Sequence, residues 1–374
     1  MPMNAAKLLF LKVLGGSAEP VTYLFRDEFT TDEAAPLASP RTAEPGPGVA
    51  TLVDTANTMS IASGALTMVK GSAGTNSDPI YRTGPYTRET GLALIARIKK
   101  SADFSGVGWM ASTSFGATLP MLYANSGMQI RPSATVTIAL ANNTYGVFGI
   151  VLRSTGAWFF NLSTGELAWW DDLVNTASLY ASMGSVAAGA INQTLDYLYI
   201  RQLPAPFTTD HGFATLNIAS PTDATEYTGD ADGIIDLTVT APGTLDGSAS
   251  TRCGFYYRAD SDLSPAWHCY VDGTGAFNLD SIDAAGTRTN RISVAGVITG
   301  GTTRTLRVIA VGTKHNAYSL SGTTWTKRGA EITLSLNDAV TTIEPSVPAG
   351  WTAANLDSWP RTIPSAALAE MDRT

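Results

Sequence analysis

The chain of 374 residues is poor in most of the groups that announce chemistry. It has two cysteines, Cys253 and Cys269, and no C-x-x-C, which excludes a disulfide-stapled scaffold and a thiolate metal finger. Its three histidines, His211, His268 and His315, lie far apart, and no G-x-S-x-G elbow stands near any of them. The histidines are therefore expected on the surface or in hairpins. No run of about 18 apolar residues exists, so no membrane insertion is expected. Charged residues make up only 15% of the chain, and the 24 Lys and Arg are scattered. The densest basic stretch, Arg97 to Lys100, is closely followed by Asp103. A nucleic-acid groove needs a clustered basic stripe, so nucleic acid is not an expected partner. Net charge is −8 and the pI about 4.9.

What is present points to β structure. Apolar residues reach 44%, with 35 Gly and 19 Pro, and Thr, Ser, Ala and Gly separate short apolar runs. In "GLALIARIKK", Leu92, Leu94, Ala96 and Ile98 share one side of a strand, with Ile95 and Arg97 on the other. In "GIIDLTVTAP", Ile235, Leu237 and Val239 alternate with Ile234, Asp236 and Thr238. One apolar face per strand means sheets packed face to face. The segment "CGFYYRADSDLSPAWHCYVDG" reads as a hairpin centred on Ser261, with Cys253 opposite Cys269 and Phe255 opposite Trp267. Alternation sends Cys253, Phe255, Tyr257, Trp267, Cys269 and Val271 to the core. It sends Gly254, Tyr256, Arg258, His268, Tyr270 and Asp272 to the other face. The cysteines are either a buried free pair or a cross-strand disulfide.

Two segments repeat one pattern. "YGVFGIVLRSTGAWFFNLSTGELAW" from Tyr145 matches "RTLRVIAVGTKHNAYSLSGTTW" from Arg304 at an offset of about 158 positions. Phe148 then meets Leu306, Ile150 meets Val308, and Phe160 meets Tyr318. "TLDYLYIRQLP" from Thr194 resembles "NLDSWPRTIP" from Asn355 at nearly the same offset. An internal duplication follows. The polar, Pro-bearing "RQLPAPFTTDHG" sets the boundary, giving residues 21–204 and 205–374 as two modules. Residues 1–20 are a separate N-terminal segment and a poor signal peptide, with Lys12 interrupting the apolar stretch. Leu8, Leu9, Phe10, Leu11, Val13 and Leu14 need a surface to cover. They form either a packing helix or strand, or an anchor that docks on a neighbouring subunit.

The opening "FRDEFTTDEAAPLASP" with "NTMSIASGALTMVKG", then "DADGIIDLTVTAP", "GFYYRADSDLSPAWHCYVDGTGAFNLDSI" and "NLDSW", resembles concanavalin A-like, laminin-G-like jelly-roll modules. The likeness covers most of residues 21–360 and is carried by strand and turn patterns. Tandem modules of this kind resemble those of tailed-bacteriophage virion structural proteins. The resemblance implies an all-β chain of two tandem concanavalin A-like jelly-roll β-sandwiches. It also implies a place in the virion, as head decoration, fibre or tail-associated part. The implied partners are other virion proteins, further copies of the chain in a homo-oligomer, and host surface glycans.

Catalytic residues are not found. Jelly rolls that hydrolyse β-glucans with retention carry E-x-D-x-x-E, and no such run occurs. In "FRDEF", Asp27 and Glu28 are adjacent and face opposite ways on a strand. "SLSGTTW" (Ser319 to Trp325) is one residue short of the sialidase Asp-box and lacks its Asp, so it reads as a β-turn. The best glycan-binding candidate is Trp169, Trp170, Asp171 and Asp172 in "ELAWWDDL": indole faces stack on sugar rings and carboxylates accept from hydroxyls. The competing reading is that both indoles pack against protein. For calcium, the candidate oxygens are Asp230, Asp232, Asp260 and Asp262, where D-x-D spacing puts two carboxylates on one side of a loop. The same residues also suit plain polar turns. The expected function is thus a non-enzymatic virion structural protein, with a carbohydrate-binding or adhesion module as the alternative. A divergent glycoside hydrolase ranks third.

Overall fold

The computed structural model describes residues 21–70, 79–101, 105–110, 121–124, 128–131, 137–138, 143–154, 156–170, 178–185, 191–322, 324–362 and 371. The first domain opens with β1 (Tyr23–Asp27), β2 (Arg41–Thr42), β3 (Val49–Val53), β4 (Ser60–Ala62), β5 (Ala65–Lys70) and β6 (Ile80–Thr87). β7 (Leu92–Lys100), β8 (Ser105–Met110), β9 (Met121–Ala124), β10 (Met128–Arg131) and β11 (Thr137–Ile138) follow. β12 (Gly146–Leu152), β13 (Ala157–Asn161), β14 (Glu166–Trp170), β15 (Ser178–Ser185) and β16 (Ile191–Gln202) complete it. The second domain has β17 (Leu216–Ile218), β18 (Tyr227–Thr228), β19 (Gly233–Thr240), β20 (Arg252–Tyr257), β21 (Ala266–Asp272) and β22 (Phe277–Ile282). It ends with β23 (Arg288–Val294), β24 (Thr303–Val311), β25 (Lys314–Ser321), β26 (Thr324–Thr333), β27 (Thr342–Ser346) and β28 (Thr352–Pro360).

These strands make four antiparallel sheets, so the chain is all-β, two jelly-roll sandwiches in tandem. Sheet A runs β14-β13-β12-β7-β16-β5-β4, with β1 also on β16, and sheet B runs β11-β10-β9-β8-β15-β6-β3-β2. Sheet C runs β17-β28-β19-β24-β25-β26 and sheet D runs β18-β27-β20-β21-β22-β23. The path β14-β13-β12-β7-β16-β1 maps onto β26-β25-β24-β19-β28-β17 strand for strand. The path β11-β10-β9-β8-β15-β6 maps likewise onto β23-β22-β21-β20-β27-β18. Register agrees as well: Phe148 pairs with Asn161, and Leu306, 158 positions on, pairs with Ser319, again 158 on. Each closing strand, β16 and β28, carries a bulge where it meets the next strand. The duplication read from two short matches therefore extends to twelve strands of each domain, with β2 to β5 present in the first alone.

Alternation explains the two cores. Leu92, Leu94, Ala96 and Ile98 of β7 point into the first, against Tyr81, Val107 and Trp109 of sheet B. Ile235, Leu237 and Val239 of β19 point into the second, against Cys253, Phe255, Tyr257 and Trp267 of sheet D. The two clusters share no residue. A third apolar cluster lies between the domains. It joins Ala93, Ile95 and Trp158 of sheet A, Phe207 and Phe213 of the linker, and Ile234 and Trp359 of sheet C. Phe213 meets the rings of Trp158 and Phe160 at 4.6 Å each. Ile95 and Ile234, which alternation turned outward, are thus buried by the neighbouring domain instead of meeting water. Beyond β28 the chain crosses to the first domain: Leu167 N–H donates to Arg361 O at 2.9 Å and Arg361 Nη1 donates to Leu167 O at 3.1 Å.

The cysteine hairpin differs from expectation in register. Cys253 lies opposite Val271, Phe255 opposite Cys269, and Tyr257 opposite Trp267. The turn centres one residue later, on Asp262, closed by Leu263 N–H on Asp260 O at 2.8 Å and Asp260 N–H on Pro265 O at 3.1 Å. Each residue's partner moves by two positions, and a shift of two preserves the faces. All six residues expected inside are buried, and both cysteines are free.

Candidate functional site

Sheet C turns its outer face toward the first domain, whereas the polar partners on the outer face of sheet D come from its own strands and turns. One cross-strand row on that face runs Glu344, Tyr256, His268, Asp280, Asn290 across β27, β20, β21, β22 and β23. The neighbouring row runs Ser346, Gly254, Tyr270, Asn278, Ser293. These rows follow from the hairpin alternation, which had already turned Gly254, Tyr256, His268 and Tyr270 away from the core.

The rings form a stack. Tyr256 lies 3.8 Å from His268, nearly parallel, and His268 lies 4.5 Å from Tyr270. Gly254 makes room for this: a Cβ there would fall 2.0 Å from Cys269 O and 2.8 Å from the Tyr270 Cβ. Arg288 ties the stack together, donating from Nη1 to His268 Nδ1 at 3.0 Å and from Nη2 to the Tyr256 hydroxyl at 2.8 Å. Tyr270 O–H and Asn290 Nδ2 each donate to Asp280 at 2.9 Å.

Because a guanidinium only donates, His268 Nδ1 is the acceptor and the ring is neutral, with its proton on Nε2. Burial first, then the charges of Arg288 and Arg252, holds its pKa well below the usual imidazole value. Nε2 is buried without a hydrogen-bond partner among the described residues. Glu344, at the end of the row, has its carboxyl pKa raised, first by burial and then by Glu226 and Asp223. The face thus offers an acid, a phenol, a guanidinium and an amide at fixed spacings, over buried rings and carboxylates. His268, Tyr270 and Asp280 on this face are themselves buried, and the bonds to Arg288 and Asn290 fix those more exposed side chains.

The residues singled out from sequence fall elsewhere. Trp169 pairs with Trp158 and packs, half-buried, against the interdomain cluster. Trp170 ends β14, and Asp171 and Asp172 lie outside the described residues, as do Leu8, Leu9, Phe10, Leu11, Val13 and Leu14. The four calcium candidates are not brought together. Asp230 accepts from Thr215 and Ser358, and Asp232 from Arg258 and Gly312 N–H. Asp260 accepts from Asn337, and Asp262 caps its own turn through Ser264 N–H. Among the described residues no group of three or more His, Cys, Asp or Glu is placed to hold a metal. His268 and His315 sit in hairpin strands as expected but are fully buried rather than superficial. Asp27 and Glu28 do face opposite ways. Asp27 accepts from Phe29 N–H and Tyr81 O–H inside the core, and Glu28 accepts from Tyr199 O–H at 2.9 Å.

Sequence distance hid one carboxylate pair. Asp236 and Asp357 are direct cross-strand partners of β19 and β28. Both are committed: Asp236 takes two bonds from Arg307, at 2.7 and 2.6 Å. Asp357 takes Asn217 Nδ2 at 2.8 Å and His211 Nδ1 at 3.1 Å.

No protein-family model matches the chain, and no curated protein matches it. Among solved structures, the chain is similar to SCLam, a non-specific endo-β-1,3(4)-glucanase from family GH16, at 10% identity and TM-score 0.32, covering 50% of this chain and 93% of that one. It is similar to the Caenorhabditis elegans galectin LEC-6 at 14% identity and TM-score 0.29, covering 38% and 94%. It is similar to the carbohydrate-binding module CBM66 from Bacillus subtilis at 12% identity and TM-score 0.25, covering 38% and 93%. Each match spans half of this chain or less. At such scores the likeness carries no assignment, and the site rests on its own geometry.

Proposed function

We propose that the chain is a non-catalytic carbohydrate-binding protein whose second domain meets glycans with the outer face of sheet D. The observation that carries this is the cross-strand row Glu344-Tyr256-His268-Asp280-Asn290 with Arg288 laid over it. Sugar hydroxyls need fixed donors and acceptors side by side, and sugar C–H faces need an aromatic surface. On rigid strands the half-buried ring of Tyr256 stands beside the polar groups of half-buried Glu344 and Arg288 and exposed Asn290. Hydrolysis is disfavoured by the same spacing. Glu344 and Asp280 are three strands apart, about 14 Å at the usual strand separation. Paired glycosidase carboxylates stand roughly 5–9.5 Å apart. Asp280 is in addition held by Tyr270 and Asn290.

A glycan array followed by calorimetry on the best hit tests this. Tyr256→Ala and Arg288→Ala should each weaken binding by about tenfold, the loss of one or two good polar or stacking contacts. Unchanged affinity in both variants, with the fold intact by circular dichroism, defeats the reading.

The setting implied by the sequence resemblance, a tailed-phage particle with residues 1–20 as the anchor, belongs to the same proposal. The apolar junction between the domains supports it, because a clamped pair of sandwiches holds one face in a fixed direction from an attachment point. Immunodetection of the chain in purified particles, and its loss on deletion of residues 1–20, are the expected results.

A further inference from the structure

The outer face of sheet C, opposite in its sandwich to the face just described, holds a cleft of about 200 Å³. Thr238 and Thr305, hydrogen-bonded to each other at 2.9 Å, line it beside the Asp236–Arg307 pair. The Arg307 guanidinium lies 3.8 Å from the centre of the Trp325 ring. Arg153 of the first domain and Asp210 and His211 of the linker line it from the junction side. Asn355 also lines it, at the bulge of β28 and in the left-handed region at φ 51°. Bulges of this kind re-aim a side chain and recur beside sites.

Two buried residues of this lining, Trp359 and Asp357, offer a donor and an acceptor. Trp359 is 2% exposed, and its Nε1–H is buried with no partner among the described residues. Asp357 is 4% exposed, and the bonds from His211 and Asn217 both fall on its Oδ1. An unpaired buried N–H is costly, and an acceptor arriving from outside would relieve it. A donor and an acceptor together are matched by a group that both accepts and donates, which is a hydroxyl. The volume is several times the roughly 30 Å³ share of one water, enough for a ring bearing several hydroxyls.

We propose that this interdomain cleft is a second binding site, taking a small polyhydroxylated molecule such as a single sugar ring. One hydroxyl would accept from Trp359 Nε1–H and donate to Asp357 Oδ2. Others would meet Thr238, Thr305 and Asn355, and the indoles of Trp325 and Trp359 would cover the C–H edges. The first domain shows why the site belongs to the second copy only. The equivalent face of sheet A carries Ile95, Trp158 and Phe160, and the linker and second domain cover it.

Titration of the full chain with single neutral hexoses, hexosamines and glycerol, followed by tryptophan fluorescence and calorimetry, tests this. The expected result is saturable binding of at least one ring sugar. Trp359→Phe, which keeps the ring and removes the donor, should weaken it by roughly tenfold. Asp357→Asn should weaken it similarly. No saturation with any probe overturns the proposal. So does binding that survives Trp359→Phe, or binding lost with Tyr256→Ala instead, which would move the sugar to sheet D and leave only water in the cleft.

Discussion

At the scale of single residues, polar groups inside the second sandwich tie its stability to pH. His315 is buried, hydrogen-bonded through Nδ1 to Tyr257 O–H at 3.0 Å and stacked 4.0 Å from Trp267. Burial first, then the charge of Arg258, lowers its pKa from 6.5 to about 4. The unfolded chain therefore binds more protons than the folded one between those values, and stability falls as pH drops through the window. Each unit of such a difference is worth about 1.4 kcal/mol. Denaturant midpoints of the second domain should fall from pH 6.5 to pH 4, and His315→Gln should flatten the slope. A slope unchanged in the variant would assign the acid sensitivity to His268 or to carboxylates. None of this was legible from the sequence, where an isolated histidine in a hairpin carries no sign of which face it takes or what lies above it.

At the scale of the strand, period-two alternation gave the faces of β7, β19, β20 and β21, since one buried face per strand is a local property of the sequence. It did not give the hairpin register, because a slip of two residues leaves every face as it was. Gly254 separates the two. In the observed register its α-carbon faces Tyr270, and an added Cβ would strike Cys269 O at 2.0 Å. Gly254→Ala should destabilise the second domain by about 1–3 kcal/mol, as overpacking does. It should also shift the β20–β21 amide resonances while those of sheet A stay in place. A neutral substitution would argue for the Ser261-centred register. The candidate glycan face was half legible in this sense. The hairpin supplied Tyr256, His268 and Tyr270, but Asp280, Asn290, Arg288 and Glu344 join them only through pairing with three other strands.

At the scale of the molecule, the two copies share topology and differ in use. Sheet A turns an apolar outer face to the linker, and sheet C turns a polar one to the cleft. Phe213 is the hinge pin, packed among Trp158, Phe160 and Phe207 at 4.6 to 4.8 Å. Phe213→Ala should remove about 3–5 kcal/mol from the junction. Because the two cores share no residue, the sandwiches should survive it. Limited proteolysis should then cut faster between Leu203 and Thr215, with amide exchange in β8 and β21 unchanged. Global unfolding instead would show that the domains form one cooperative unit. Trp169, read from sequence as a sugar platform or a packed indole, packs at this junction; a pair of adjacent indoles on a strand looks the same whether water or another domain lies beyond it.

The sequence by itself determined what is periodic and local: the all-β class, the repeat at an offset near 158, and the inward faces of the main strands. Hydrophobic alternation encodes these without reference to any distant residue. Tertiary structure alone decided which outward faces meet solvent and which meet the other domain. It also brought Asp236 to Asp357 across a ladder and buried Trp359 with its N–H unpaired among the described residues. Those outcomes depend on which chain segments become neighbours, and pairing between strands more than a hundred residues apart leaves no local mark on either one.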